Sequence, residues 1–282
     1  MQLHLQTVPA RNGVLWLRHG FKVFRRRPLA LSALFAVFLF AGFVLALLPV
    51  VGLLALLATL PLLSLGFMLA THQVLQNQTP TAVVFLAPLK LTRQRRNSQL
   101  ALCGAYALAT VLIMLISNWV DGGSFDAVQA LMAKPEPNNP AYEQAVAAAL
   151  TEPRLLLGML TRLTLAALLS IPFWHAPALI HWGGQGALQA LFSSTLGVWR
   201  NKGAFAVNAL CWVGLTMLLS AALSLVTAML GMGQLLYALA MPLGLLLSTV
   251  FYASLYFTFV DCFMFGAPRE LPTAATDPRE ER

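Results

Sequence analysis

The chain has 282 residues, of which 59% are hydrophobic and only 10% charged, with a mean hydropathy of +0.74 and a formal net charge of +8. That excludes an ordinary soluble domain, where about a quarter of residues are charged and large apolar patches are rare. Long uncharged runs satisfy their backbone groups in lipid only as helices, so the composition reads as a polytopic all-α membrane protein rather than a barrel of short alternating strands.

In chain order, residues 1–10 read as a short cytoplasmic lead. Over 11–27 apolar and basic residues separate at helical spacing, with Val14, Leu17, Phe21 and Phe24 on one side, widened by Trp16 and Val23. Arg11, Arg18, Lys22 and Arg25 lie on another, which predicts an interfacial helix. Arg25, Arg26 and Arg27 then precede a span over 29–48, and this basic excess holds the amino terminus in the cytoplasm. The apolar run is too long, and its cleavage site too poor, for a signal peptide.

Pro49 and Gly52 predict a tight reversal into a second span, 50–70. The connection 71–99 carries Thr79-Pro80 as a helix start, Pro88 as a break, and Lys90, Arg93, Arg95 and Arg96 ahead of span three, 100–119. Residues 120–154 form an outer loop rich in acidic residues. Within it Ser124 is expected to cap a short helix through Ala133, the proline cluster around Pro135 to break the chain, and 141–150 to form another helix.

Span four, 155–180, is interrupted by Pro172 and Pro177, each of which removes a backbone donor. A glycine-rich link follows, and then Leu188, Leu191, Phe192, Leu196 and Trp199 make an apolar stripe ending at Arg200 and Lys202. Spans five and six are expected at 204–230 and 235–260, joined by a turn at Gly231, Met232, Gly233 and Gln234. Residues 1–265 thus form one membrane domain, and 266–282 a disordered cytoplasmic tail. Most of the 18 basic residues fall in segments assigned to the cytoplasm, which places both termini there.

An interfacial segment, a basic cluster and a span paired with the next recur three times, beginning near Trp16, Phe85 and Leu191. In transporters built from repeats the binding site lies where repeats meet.

The suspicious residues are few. Arg162 stands seven residues into span four, where it either snorkels to the outer headgroups or makes a buried ion or substrate contact. His175, between Pro172 and Pro177, is either a proton relay or substrate group, or an imidazole bonded to a carbonyl freed by a proline. Asp261 is expected to salt-bridge to a basic cluster.

Cys103, Cys211 and Cys262 lack metal or disulfide spacing, and no metal or cofactor is expected. No hydrolase, nucleotide-binding or metalloprotease motif stands in the chain, so an enzyme is disfavoured. Nucleic acid is not expected as a partner, because no groove-reading motif accompanies the charge. The expected ligands are anionic lipid headgroups, held by Arg18, Lys22, Arg25, Arg26, Arg27, Arg93, Arg95, Arg96, Arg200 and Lys202. A membrane-protein partner or a second copy of the chain is the other class of ligand.

Two stretches carry a resemblance. Val8-Pro9-Ala10-Arg11, Trp16, Gly20-Phe21, Phe24-Arg25 and Pro28-Leu29 form the first. Phe173-Trp174, Ala176 to Leu179, Trp182, Ala190 to Phe192, Ser194, Arg200-Asn201 and Ala204-Phe205 form the second. On these the chain resembles an uncharacterised family of bacterial inner-membrane proteins. Its architecture is also distantly similar to the membrane domains that accompany some glycerophosphodiester phosphodiesterases, whose catalytic activity is not carried over. The resemblance implies an inner-membrane location and no assigned reaction. The expected role is therefore non-enzymatic binding of lipid or a membrane partner in assembly or envelope homeostasis. A small-solute transporter or channel, with its site near the broken inner half of span four, is the alternative.

Overall fold

A computed structural model describes residues 3–48, 51–136, 139–231 and 233–265. The expected reversal at Pro49, the turn residue Met232, part of the proline cluster after Pro135 and the tail 266–282 lie outside the described residues.

The described chain is all-α apart from a short two-stranded ribbon, and six of its helical stretches are long and apolar enough to cross a membrane. Helix α1 is Asn12–Arg26, α2 Pro28–Ala46 and α3 Val51–Leu75. A 3₁₀ helix, Ala82–Lys90, leads to α4, Arg93–Asp121. The short helices α5, Ser124–Ala133, and α6, Pro140–Leu150, lie between α4 and α7, Pro153–Phe173. Helix α8, Ala176–Gly183, and α9, Ala187–Arg200, precede α10, Lys202–Met229, and α11, Gly233–Cys262. Strand β1, Leu3–Leu5, pairs antiparallel with β2, Phe263–Phe265, so the chain's two described ends are stitched together.

Several boundaries differ from the expectation for local reasons. Span three starts at Arg93, because nothing between its basic cluster and its apolar run breaks a helix. Span four divides at Trp174 and His175, where Pro172 sits near the end of α7 and Pro177 opens α8 from its first turn, a position in which the missing N–H costs little. Pro88 does not break its segment but lies inside the 3₁₀ helix. Ser124 is already inside α5, and its hydroxyl donates to Asp121 O at 2.8 Å rather than capping. Asn139 caps α6, accepting from the Ala141 N–H at 3.0 Å.

The spans pack as three hairpins, α2 with α3, α4 with α7, and α10 with α11. Each is preceded by its interfacial element, and that element docks on the preceding hairpin. The 3₁₀ helix lies on α3, α9 lies on α7, and α1 closes the cycle by lying on α10 and α11. The hairpins themselves do not close a ring. Helix α3 packs on α4 and on α11, whereas α7 packs along neither α10 nor α11. Burial follows: 44% of the most apolar window of α3 is covered by protein, against 11% for span four and 6% for α10.

The docking faces coincide only in part with the predicted apolar stripes, through Trp16 and Val23 of α1. Helix α1 buries Gly13, Trp16, Gly20 and Val23, while Val14 is exposed and Leu17, Phe21 and Phe24 are half-buried. A Cβ at Gly20 would meet Val250 O and Ser254 Cβ at 2.9 Å, so the helix approaches α11 as closely as only glycine allows. In α9 the buried residues are Ala190, Ser194 and Gly197, and Leu188, Phe192 and Trp199 face outward. Small residues set how near each interfacial helix comes, and large apolar side chains such as Val14, Leu188, Phe192 and Trp199 are left facing outward.

Candidate functional site

The first candidate, Arg162, is tied down by its own chain. Its Nη2 donates to Asn118 Oδ1 at 2.8 Å, its guanidinium lies 4.2 Å over the Phe125 ring, and it stands 4.0 Å from Asp121 Oδ2. Asp121 is buried, and its other oxygen accepts from the Gly123 N–H at 2.8 Å. Gly158, one turn before Arg162, lets Asp121 pack against α7. Arg162 therefore joins α4, α5 and α7 as a latch at the end of the bundle opposite the basic clusters. Asn118 and Asp121, three residues apart at the close of span three, were the signal for this pairing.

The second candidate is the break in span four. His175 is fully buried. Its N–H donates to Ser194 Oγ at 3.0 Å, and that hydroxyl donates in turn to Ile171 O at 3.1 Å, so one serine of α9 bridges the interrupted ladder. The Thr258 hydroxyl gives its proton to Leu255 O at 2.7 Å and accepts from Trp174 Nε1 at 3.2 Å. His175 Nε2, also 3.2 Å from Thr258 Oγ1, must then carry its own proton and donate it, leaving Nδ1 as an unpartnered lone pair. The carbonyl freed by Pro177 is that of Phe173, and His175 does not reach it. Rings of Phe205, Phe259 and Phe263 surround the imidazole, with centroids 5.3–6.0 Å away.

Asp261 forms no salt bridge among the described residues. Its Oδ2 accepts from Asn12 Nδ2 at 2.9 Å and Trp16 Nε1 at 2.7 Å, neutral donors on α1 that reach it before any basic cluster does. Beside it, buried Asn201 accepts from the Val8 N–H at 2.8 Å and donates to Gln6 O and Gly197 O, both at 2.9 Å. Trp16 and Phe205 meet at 5.1 Å between centroids. The two stretches that carry the family resemblance are thus in contact, and both knit the basic end of the bundle.

Of the residues expected to hold anionic headgroups, Arg18, Lys22, Arg25, Arg26, Arg27, Arg93, Arg96, Arg200 and Lys202 are exposed. Helices α2, α4 and α10 start at the same end, which gathers these charges on one face. Arg95 differs: it is half-buried, and its Nη1 donates to His181 O at 3.0 Å, holding the carboxyl-terminal turn of α8.

Where the three hairpins fail to close lies a cavity of about 180 Å³, lined by α3, α4, α7 and α11. Ser64, Ser170, Tyr106 and Tyr252 supply its polar atoms, and Phe173, Trp174 and Phe251 floor it. Both serine hydroxyls donate to carbonyls of their own helices. Among the described residues no three His, Cys, Asp or Glu side chains are placed to share a metal ion. Sequence reasoning found none of the cavity-lining hydroxyls, because each lies singly within an apolar run.

No family model matches the chain, and no solved structure does. Nothing in these comparisons supports the likeness to phosphodiesterase membrane domains. A probable inner membrane protein of Burkholderia thailandensis is 30% identical over 274 residues, covering 95% of this chain and 97% of that protein. With six apolar spans beside that near-complete match, the chain is a multi-pass inner-membrane protein, and it belongs to the family of bacterial inner-membrane proteins that this relative represents.

Proposed function

We propose that the protein is a non-enzymatic lipid-binding scaffold of the inner membrane, with its basic end and both termini in the cytoplasm. The observation that carries the reading is the cavity at the junction of the three units, lined mostly by apolar side chains of the candidate membrane spans and lying on the side of α7 that packs sparsely against the α10–α11 hairpin. Beneath it the aromatic packing around Trp174 and His175 closes the way to the basic end. Gathering the basic clusters on one face supports a cytoplasmic placement, and the exposed cations there suit anionic headgroups. The non-enzymatic reading is supported by the carboxylates at the span ends, since Asp121 and Asp261 are both engaged in structural contacts. The bare face of α10 leaves room for a membrane partner or a second copy in the same assembly role.

The test is reconstitution of the full chain into liposomes, with solute flux and co-purified lipid measured together. The reading expects no flux, and a loss of bound lipid when Ser170→Phe fills the cavity. Solute flux that His175→Ala or Arg162→Ala abolishes would overturn it in favour of a transporter.

A further inference from the structure

We propose that one anionic glycerophospholipid occupies a built site along the 3₁₀ helix, with its phosphate beside Lys90 and His181 and an acyl chain between α2 and α3. This deepens, and rests on, the lipid-binding reading above, but it is a different place from the central cavity.

Two hollows flank the 3₁₀ helix on one face of α3. The first, of about 230 Å³, lies at the basic end and is lined by Lys90, Thr81, Gln73 and His181 together with apolar walls. Lys90 is exposed and has no ion-pair partner among the described residues. Arg95, by holding His181 O, fixes the turn of α8 that carries the imidazole to this hollow, and His181 Nδ1 is itself buried without a partner. A cation, a hydroxyl, an amide and an imidazole around one small space suit a phosphate with its ester oxygens.

The second hollow, of about 460 Å³, runs away from the basic end between α2 and α3. Its walls are almost wholly aliphatic and aromatic, among them Phe38, Ala41, Leu45 and Leu62, and the Thr59 hydroxyl in its lining already donates to Leu56 O at 2.7 Å. A space with no polar group left to satisfy accepts a hydrocarbon chain without desolvation cost. Val83 lines both hollows, so they are neighbours on the two sides of one side chain. Gly66 lets the Phe85 ring sit directly on α3, which seats the 3₁₀ helix between them. Polar hollow and apolar trough follow one another in the order of the head and chain of a phospholipid that enters from the leaflet at the basic end.

The experiment uses the full chain in mild detergent, incubated with chain-matched phosphatidylglycerol and phosphatidylcholine and read by native mass spectrometry. Phosphatidylglycerol is expected to be bound in preference by about five-fold, the effect of a single lysine near an anionic surface. Lys90→Gln should erase the preference without changing thermal stability, and Ala41→Phe should reduce binding of both lipids. Inorganic phosphate at millimolar concentration should not compete, because it lacks the chain. Equal binding of the two lipids by the native chain, a preference unchanged in Lys90→Gln, or displacement by inorganic phosphate would each overturn the proposal. Failure here is distinguishable from failure of the broader reading. Lipid that remains bound but depends on Ser170 and not on Lys90 refutes this site alone, whereas a chain that retains no lipid of any class refutes both.

Discussion

Replacing Gly13 with alanine tests the docking of α1 on the third hairpin. A Cβ there would stand 2.6 Å from Asn208 N and closer still to Ala204 O, both backbone atoms of α10 that cannot rotate away. Ordinary contact begins at 3.4 Å, so α1 must lift by roughly 0.8 Å or more, the difference between those two distances. Such a shift loosens Trp16, which is fully buried and donates to Asp261. Overpacking of this kind costs about 1–3 kcal/mol and occasionally more. Alanine is also the better helix former by about 1 kcal/mol, so two effects of opposite sign compete. Because the obstacle is backbone, the clash prevails, and we expect a net loss of about 2 kcal/mol. Gly214 on α10 has nothing within 4 Å of its would-be Cβ. There only the propensity term acts, and Gly214→Ala should gain up to about 1 kcal/mol. Reversible unfolding in mixed micelles reads both variants on one scale. Shifts in the same direction for the two alanines would refute the argument that α1 is held by close backbone approach.

Asn201→Ala leaves the Val8 N–H without its side-chain acceptor and removes one donor from the Gln6 carbonyl, at about 1–3 kcal/mol if the Val8 N–H stays buried. Hydrogen exchange at Val8 should accelerate in step with that loss, and unchanged protection would contradict the assignment. Arg162→Leu should destabilise by about 2 kcal/mol, less than a fully buried broken pair because the guanidinium side chain is 27% exposed. In a double-mutant cycle with Asp121→Asn the second substitution should recover part of that loss. Strict additivity would mean the two residues do not interact. A solute-transport defect in Arg162→Leu with stability intact would instead restore the ligand-contact reading.

The spans were legible because uncharged runs of this length admit few other solutions, and the helix Ser124–Ala133 was placed from residue type alone. The three-unit grammar was legible too, since each basic cluster stands just ahead of a span. How the units interlock was not. Trp16 and Val23 on the docking face of α1 were within the expected stripe, but Gly13, Gly20, Ala190, Ser194 and Gly197, which set the close approach of α1 and α9, add little to an apolar stripe, so periodicity centred on more outward faces. Arg162 looked isolated because Asp121 reads as the first acidic residue of a loop, although it is the last residue of α4. Ser194 lies 19 positions from the His175 N–H it accepts, and no local pattern announces such a bridge. The two hollows beside the 3₁₀ helix depend on how that helix lies on α3, a tertiary relation that composition does not encode.

The central claim is that the junction of the three units opens to lipid and is closed to water. A spin label at Ser170→Cys, with Cys103, Cys211 and Cys262 replaced by alanine, would report it in reconstituted bilayers through its accessibility to oxygen and to a water-soluble nickel chelate. The account predicts high oxygen accessibility with little response to the chelate from either side of the membrane. Strong relaxation by the chelate would show an aqueous route through the bundle, and would contradict a lipid-facing scaffold.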